Sequence, residues 1–211
     1  MPIALARTSS AARVGAHAGT AGYNDLCAMH PFRYALVAYV KDPVGEFVEQ
    51  LRRELNPGLS HLATHLTVLP PRQLNTSELS ALDALEEACG RLAPFEITLG
   101  QVESFVPVTP TVFISLNEAS RLCELHKHFN SGILSGDEDW PYMPHLTIVK
   151  MERDDEAENA LRISRERWAA YQGSPRVHVR ELTFVREVEE NQWVDLAGFP
   201  LGQSLVTRHS L

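Results

Sequence analysis

The sequence predicts an α+β fold of two similar lobes, and three observations carry that expectation. The pentapeptide His65-Leu66-Thr67-Val68-Leu69 returns eighty residues later as His145-Leu146-Thr147-Ile148-Val149, changed only by aliphatic exchanges at its last two places. Helical and strand-like hydrophobic periods alternate along the chain around the two copies, which suits lobes of mixed elements better than a doubly wound sheet. The 211-residue chain is 44% hydrophobic, enough to bury a core as one globular unit or two small lobes.

Taken in order, residues 1–30 are rich in Ala, Ser, Gly and Thr, carry Arg7 and Arg13, and hold no acid before Asp25. They are expected to be a disordered extension. An Arg-bearing, acid-poor start is like an organellar transit peptide; equally, Met29 would serve as the true start. No signal-peptide apolar segment is present, so a cytoplasmic protein with an organellar alternative is expected. The folded domain is placed at 31–200 and a frayed tail at 201–211.

Arg33–Lys41 is an apolar run of strand length. Asp42-Pro43 then supplies an N-cap and a first-turn proline, and Val44, Phe47, Val48, Leu51 and Leu55 recur at helical spacing until Asn56-Pro57-Gly58 stops them. The first motif follows as a strand. Asn75 with Glu78 resembles a capping box, opening a helix whose stripe is Leu79, Leu82, Leu85, Ala88, Cys89 and Leu92. Cys89 is thus expected in the core. Phe95–Leu99, Val102–Val106 and Val112–Leu116 read as two or three antiparallel strands. Ala119, Leu122, Leu125, His126 and Phe129 mark a third helix, and His126 and His128 leave it in different directions.

The acidic, aromatic loop Gly136–Tyr142 leads into the second motif strand. Its acids either hold a cation or are solvated, with solvation the expectation, and Trp140 and Tyr142 either stack on a base or pack on the strand. Asp154–Tyr171 predicts a fourth helix. Arg176–Val188 reads as a strand with a bulge between Val179 and Leu182, where the apolar parity changes, and Trp193–Leu196 returns as its hairpin partner.

The motif itself carries the chemistry. A strand's period of two turns His and Thr of each copy to one face, so each presents an imidazole beside a hydroxyl. With nine His in the chain, a single His-Leu-Thr should arise by chance on the order of 0.05 times. Two copies are a signal. His61 and His65 stand four apart, a metal-binding spacing on a helix, but Pro57-Gly58 and Pro70-Pro71 leave no room for one. His61 is expected in a loop, and no metal site is expected.

At these residues the chain resembles the two-histidine (2H) phosphoesterases, the LigT-like or 2′-5′ RNA ligase family, whose mark is His-x-[Thr/Ser] twice, each on a strand. Met143-Pro144-His145-Leu146-Thr147-Ile148 resembles the family's second motif, and Thr64–Pro71 the first. The resemblance covers about residues 31–200 in element order. It implies a bilobal, pseudo-two-fold fold: two mainly antiparallel sheets, helices outside, a cleft between. It implies a metal-independent, cofactor-free enzyme, acting on an RNA end or small cyclic nucleotide, that opens 2′,3′-cyclic phosphates and in some members joins or cleaves 2′-5′ linkages. By it His65 and His145 become the acid and base, and Thr67 and Thr147 the phosphate ligands.

That implication has physical sense. With reference pKa values near 6.5, one imidazole can be neutral and the other protonated near pH 7, one on each side of phosphorus. Thr hydroxyls would hold the charge on the non-bridging oxygens. Three further side chains are weaker candidates for substrate contact. Lys150 stands where relatives carry Arg or Tyr, but simple parity turns it away from His145 unless a bulge intervenes. Arg72 either reaches a phosphate or lies on the surface, and Tyr142 either meets a base or packs.

The net charge of −8 disfavours a general nucleic-acid binder, so any such substrate is small or gripped at its end. Cys27, Cys89 and Cys123 suggest neither a disulfide framework nor zinc. No apolar run is long enough to span a membrane, no membrane partner is expected, and a monomer is the expectation. A non-catalytic nucleotide-binding module is the alternative function, and a metallohydrolase using His61, His65 and the acidic loop a third.

Overall fold

The computed structural model describes residues 32–203 together with Thr207 and Arg208. The extension expected over 1–30, with its transit-peptide and Met29 readings, lies outside them, as does most of the tail beyond Gln203.

In chain order the elements are β1 (Tyr34–Tyr39), α1 (Pro43–Leu55), β2 (His65–Arg72), α2 (Glu78–Gly90), β3 (Phe95–Ser104), β4 (Thr111–Leu116), α3 (Ser120–Phe129), β5 (Leu146–Lys150), α4 (Asp154–Ala169), β6 (Arg176–Val179), β7 (Glu181–Glu189), β8 (Gln192–Pro200) and β9 (Thr207–Arg208). The strands lie side by side in the order β6-β3-β4-β5-β2-β1-β7-β8-β9. All these neighbours pair antiparallel.

The centre of that order is the β2–β5 pair, which rests on one registered rung, Leu66 opposite Leu146. Either side of it the chain repeats itself: β1-α1-β2-α2 on one flank and β4-α3-β5-α4 on the other. The two expected sheets are therefore two halves joined at a single rung, and the duplicated motif lies on the join. Helices cross it, since α1 packs against β5 and α3 against β2.

Parity along the strands assigns the two faces. Leu36, Ala38, Leu66, Val68, Leu146 and Ile148 join the buried helix residues Val44, Val48, Leu51, Leu122, Leu125 and Phe129 in one core. The alternate residues Ala35, Val37 and Val185, with Tyr39 and Trp193 against them, form a smaller cluster apart. The helix-covered face thus holds the core and the other is left for chemistry. At Gly45, in the first turn of α1, an added Cβ would lie 2.1 Å from the Val40 carbonyl oxygen. Only glycine lets α1 start this close to the end of β1.

Four local expectations are corrected. Asn75 does not cap α2; Ser77 does, its hydroxyl accepting from the Ser80 N–H at 3.1 Å. Glu78 instead reaches out to Arg186 and Tyr34. Phe95–Ser104 is one strand, its change of parity absorbed by a register shift between Leu99 and Val102. The parity change before Leu182 is a break: β6 pairs with β3 at one end of the sheet order, and β7 with β1 in the other half. In the tail, Thr207 and Arg208 pair with Gly198 and Ala197. Among the described residues no helix is long and apolar enough to cross a membrane.

Candidate active site

The rung between Leu66 and Leu146 fixes the relation of the two motifs. In antiparallel register about that pair, His65 faces Thr147 and Thr67 faces His145. The imidazoles occupy one diagonal and the hydroxyls the other, with diagonal neighbours about 7–8 Å apart at the backbone. That spacing admits a tetrahedral phosphate between the two rings.

The two rings are held alike. His65 Nδ1 lies 2.8 Å from the carbonyl oxygen of Ala63, and His145 Nδ1 lies 2.7 Å from that of Met143, two residues upstream in each case. Each Nδ1 therefore carries the proton and donates, which leaves Nε2 as the working nitrogen. Among the described residues neither Nε2 atom, nor the hydroxyl of Thr67 or Thr147, makes a hydrogen bond. Tyr39 stands edge-on to His65 with centroids 6.4 Å apart, while Phe105 and Phe113 stand 5.0 and 5.1 Å from His145.

These surroundings remove water, and both imidazoles titrate below their ordinary value of 6.5. For His65 burial is the chief cause, opposed by the bond to Ala63 and reinforced by the charges of Arg52 and His145. For His145 burial is the cause, opposed by the bond to Met143. Both shifts favour the neutral form of each ring in the free protein, so a proton shared by the pair is held less readily than by an ordinary imidazole.

Each motif strand carries a bulge just past its Thr. Thr67 faces Val37 and Leu69 faces Leu36, leaving Val68 extra; Thr147 faces Phe113 and Val149 faces Val112, leaving Ile148 extra. A bulge strands backbone carbonyls that the ladder would have satisfied. Side chains from the opposite half capture them. Buried Arg52 of α1 donates from Nε to Ile148 and from Nη2 to Thr147, both at 2.9 Å, and also to the Leu62 carbonyl. On the other side His126 of α3 donates from Nδ1 to Val68 at 2.9 Å, and Tyr142 donates to Thr67 at 2.6 Å. Both devices tie the residue three before one motif's His to the carbonyls beside the other motif's Thr.

The weaker candidates fall out of this geometry. The bulge at Ile148 turns Val149 into the core and Lys150 onto the His145 face, where its side chain is exposed. Lys150 thus meets the condition set by the sequence. Tyr142 does not contact the cleft as a free hydroxyl: its O–H is committed to Thr67, its ring lies on His126 with centroids 3.8 Å apart, and burial raises its pKa. It positions the first motif. Arg72 is corrected likewise. It is buried, bonded to the Pro70 carbonyl, to Asn130 Oδ1 at 2.6 Å and to Glu138.

Glu138 also faces His126 Nε2 at 3.3 Å, so one acid of the 136–142 loop is a half-buried anchor while Asp137 and Asp139 are exposed. Trp140 is 67% exposed beside the motif. His61 sits in a turn against the Asn191 carbonyl. Cys89 is buried, its thiol pushed up to about 12, which suits a core residue.

Arg52 and His126 went unassigned from sequence, though a signal existed. Arg52 follows Val44 and Val48 at four-residue steps and His126 sits among Leu122, Leu125 and Phe129. A polar side chain on an apolar stripe needs a buried partner.

Comparison with known proteins shows the family. The model of the 2′-5′ RNA ligase superfamily matches residues 40–191. A Bacillus licheniformis protein whose name assigns it by inference to the phosphoesterases is 23% identical over 171 residues, 81% of this chain and 99% of its own. A similarly named protein of Halalkalibacterium halodurans is 23% identical over 172 residues, 81% of this chain and 98% of its own. Among solved structures, TT0787 of Thermus thermophilus superposes with a TM-score of 0.56 at 21% identity, covering 81% of this chain and 98% of that one. Escherichia coli LigT, solved with 3′-AMP, gives 0.53 at 17% identity over 82% and 99%. The α+β fold is that of LigT, and the chain belongs to the 2′-5′ RNA ligase superfamily.

Proposed function

We propose that the protein is a metal-independent phosphoesterase that opens 2′,3′-cyclic phosphates on RNA ends or small nucleotides, with 2′-5′ ligation as the same opening by a 5′-hydroxyl in place of water, the 3′-oxygen leaving. The observation that carries this is the antiparallel quartet, two imidazoles and two hydroxyls around one rung with all four working atoms unpartnered among the described residues. A diester phosphate seated there has a nitrogen on either side. One Nε2 accepts the proton of water as it attacks phosphorus; the other, protonated, gives its proton to the departing ribose oxygen. Thr67 and Thr147 donate to the two non-bridging oxygens, where charge must be held in the transition state. The substrate's negative charge raises the depressed pKa values on binding, which favours the single proton that the reaction needs. Lys150 adds a cation on the His145 side.

Nucleotide complexes of the LigT fold, with 3′-AMP and with ATP, support a nucleotide as substrate. The test is turnover of 2′,3′-cyclic nucleotides and cyclic-ended oligoribonucleotides in EDTA, with the 2′- and 3′-phosphate products resolved. Ring opening to one regioisomer is the expected result. A folded protein inert toward all of them, or one silenced by the chelator, contradicts the reading.

A further inference from the structure

Next to Tyr39, the ring that stands against His65, lies a cavity of about 420 Å³, in the range that holds a nucleotide-sized ligand. Tyr39, which stands against His65, is one of its walls; Lys41, Asp42, His178, Arg180 and Glu181 are others. Lys41 follows Tyr39 by two residues, about 7 Å along an extended chain from the position opposite His65. The cavity wall at Lys41 therefore stands from the strand position opposite His65 by roughly the step between successive phosphates of a nucleotide chain.

Its charges are unequally committed. The Asp42 carboxylate takes the His178 backbone N–H at 3.0 Å and Nδ1 at 2.7 Å, which, with Arg180 nearby, holds it below its ordinary range although burial opposes this. Lys41 meets Glu181 at 3.3 Å, an exposed pair that holds its partners weakly. The Arg180 side chain is exposed and makes no hydrogen bond or ion pair among the described residues, though its charge acts on Asp42. The least committed cation in the cavity is thus a guanidinium fork, with an ammonium easily released beside it, and both suit a phosphate.

Resting on the phosphoesterase reading, we propose that this cavity is a second-phosphate subsite: Arg180 and Lys41 bind a phosphoryl group on the 5′ side of the nucleoside whose cyclic phosphate sits between His65 and His145. The group is either a terminal 5′-phosphate or the internucleotide phosphodiester of an RNA end. Two cations rather than a basic face suffice for this in a chain of net charge −8.

The test compares three substrates: a nucleoside 2′,3′-cyclic phosphate, the same with a 5′-phosphate, and a cyclic-ended dinucleotide. Wild type should favour the substrates with a second phosphate by about tenfold in kcat/KM. Arg180→Glu and Lys41→Ala, both at exposed positions, should remove that advantage while the substrate without it is turned over as before. Preference for the dinucleotide alone identifies the phosphodiester, and equal preference the phosphoryl group as such. Calorimetry with a nucleoside 3′,5′-bisphosphate against the 3′-monophosphate reads the same subsite without turnover, so a failure of the catalytic reading leaves this one decided. No preference in wild type by either method, or a preference that survives both variants, overturns it.

Discussion

At the scale of single residues, the electrostatics of the two imidazoles make the sharpest demand. Reaction needs one proton on the pair, and both groups of the free protein bind it more weakly than a free imidazole does. The singly protonated pair is therefore most abundant below pH 6.5, and is lost above as the remaining proton leaves and below as a second arrives. The kcat/KM profile should be a bell centred on the acid side of 6.5, with the kcat profile displaced upward by the bound phosphate; a kcat/KM maximum at pH 8 would refute the burial argument. Arg52 offers a second test. Arg52→Lys keeps the charge but cannot span the carbonyls of Leu62, Thr147 and Ile148. We expect kcat to fall about tenfold with KM little changed, since the lost contact positions the second motif rather than binds substrate. Tyr142→Phe leaves the Thr67 carbonyl short of its donor and should cost about 1–3 kcal/mol in a denaturant titration. The quartet was legible in sequence because repetition marked it. Tyr142 and Arg72 were not, because whether a polar group meets substrate or a stranded carbonyl depends on contacts between distant segments.

Among the elements, periodicity recovered the helices and most strands, and it failed where pairing rather than pattern decides. A change of parity looks the same whether a strand bulges, as at Val102, or ends and changes partner, as at Arg180. The bulges at Val68 and Ile148 were masked by runs of apolar residues that suit either face, yet the second one turns Lys150 toward the cleft. The Asp42 carboxylate occupies the N-cap position of α1 but bonds His178 instead, a partner 136 residues away. At the start of α1, Gly45→Ala would drive a methyl group into the Val40 carbonyl. We expect a loss of about 1–3 kcal/mol, read as a lower Tm, as the helix moves off the sheet.

For the whole molecule, the central finding is that two halves meet at one rung and that each half braces the other's motif. Arg52 reaches from the β1 half to β5, and His126 from the β4 half to β2. Neither half completes the quartet alone, because one imidazole and one hydroxyl come from each half. Net charge pointed the same way at the level of sequence, by limiting the substrate to something small or held at its end. The measurement that tests this account most directly is turnover of a 2′,3′-cyclic nucleotide in EDTA by wild type, His65→Ala and His145→Ala, with circular dichroism verifying the fold. Loss of about 10²–10⁴-fold in both variants is the predicted result. Turnover near the wild-type rate in either one, with the protein folded, would contradict the paired mechanism.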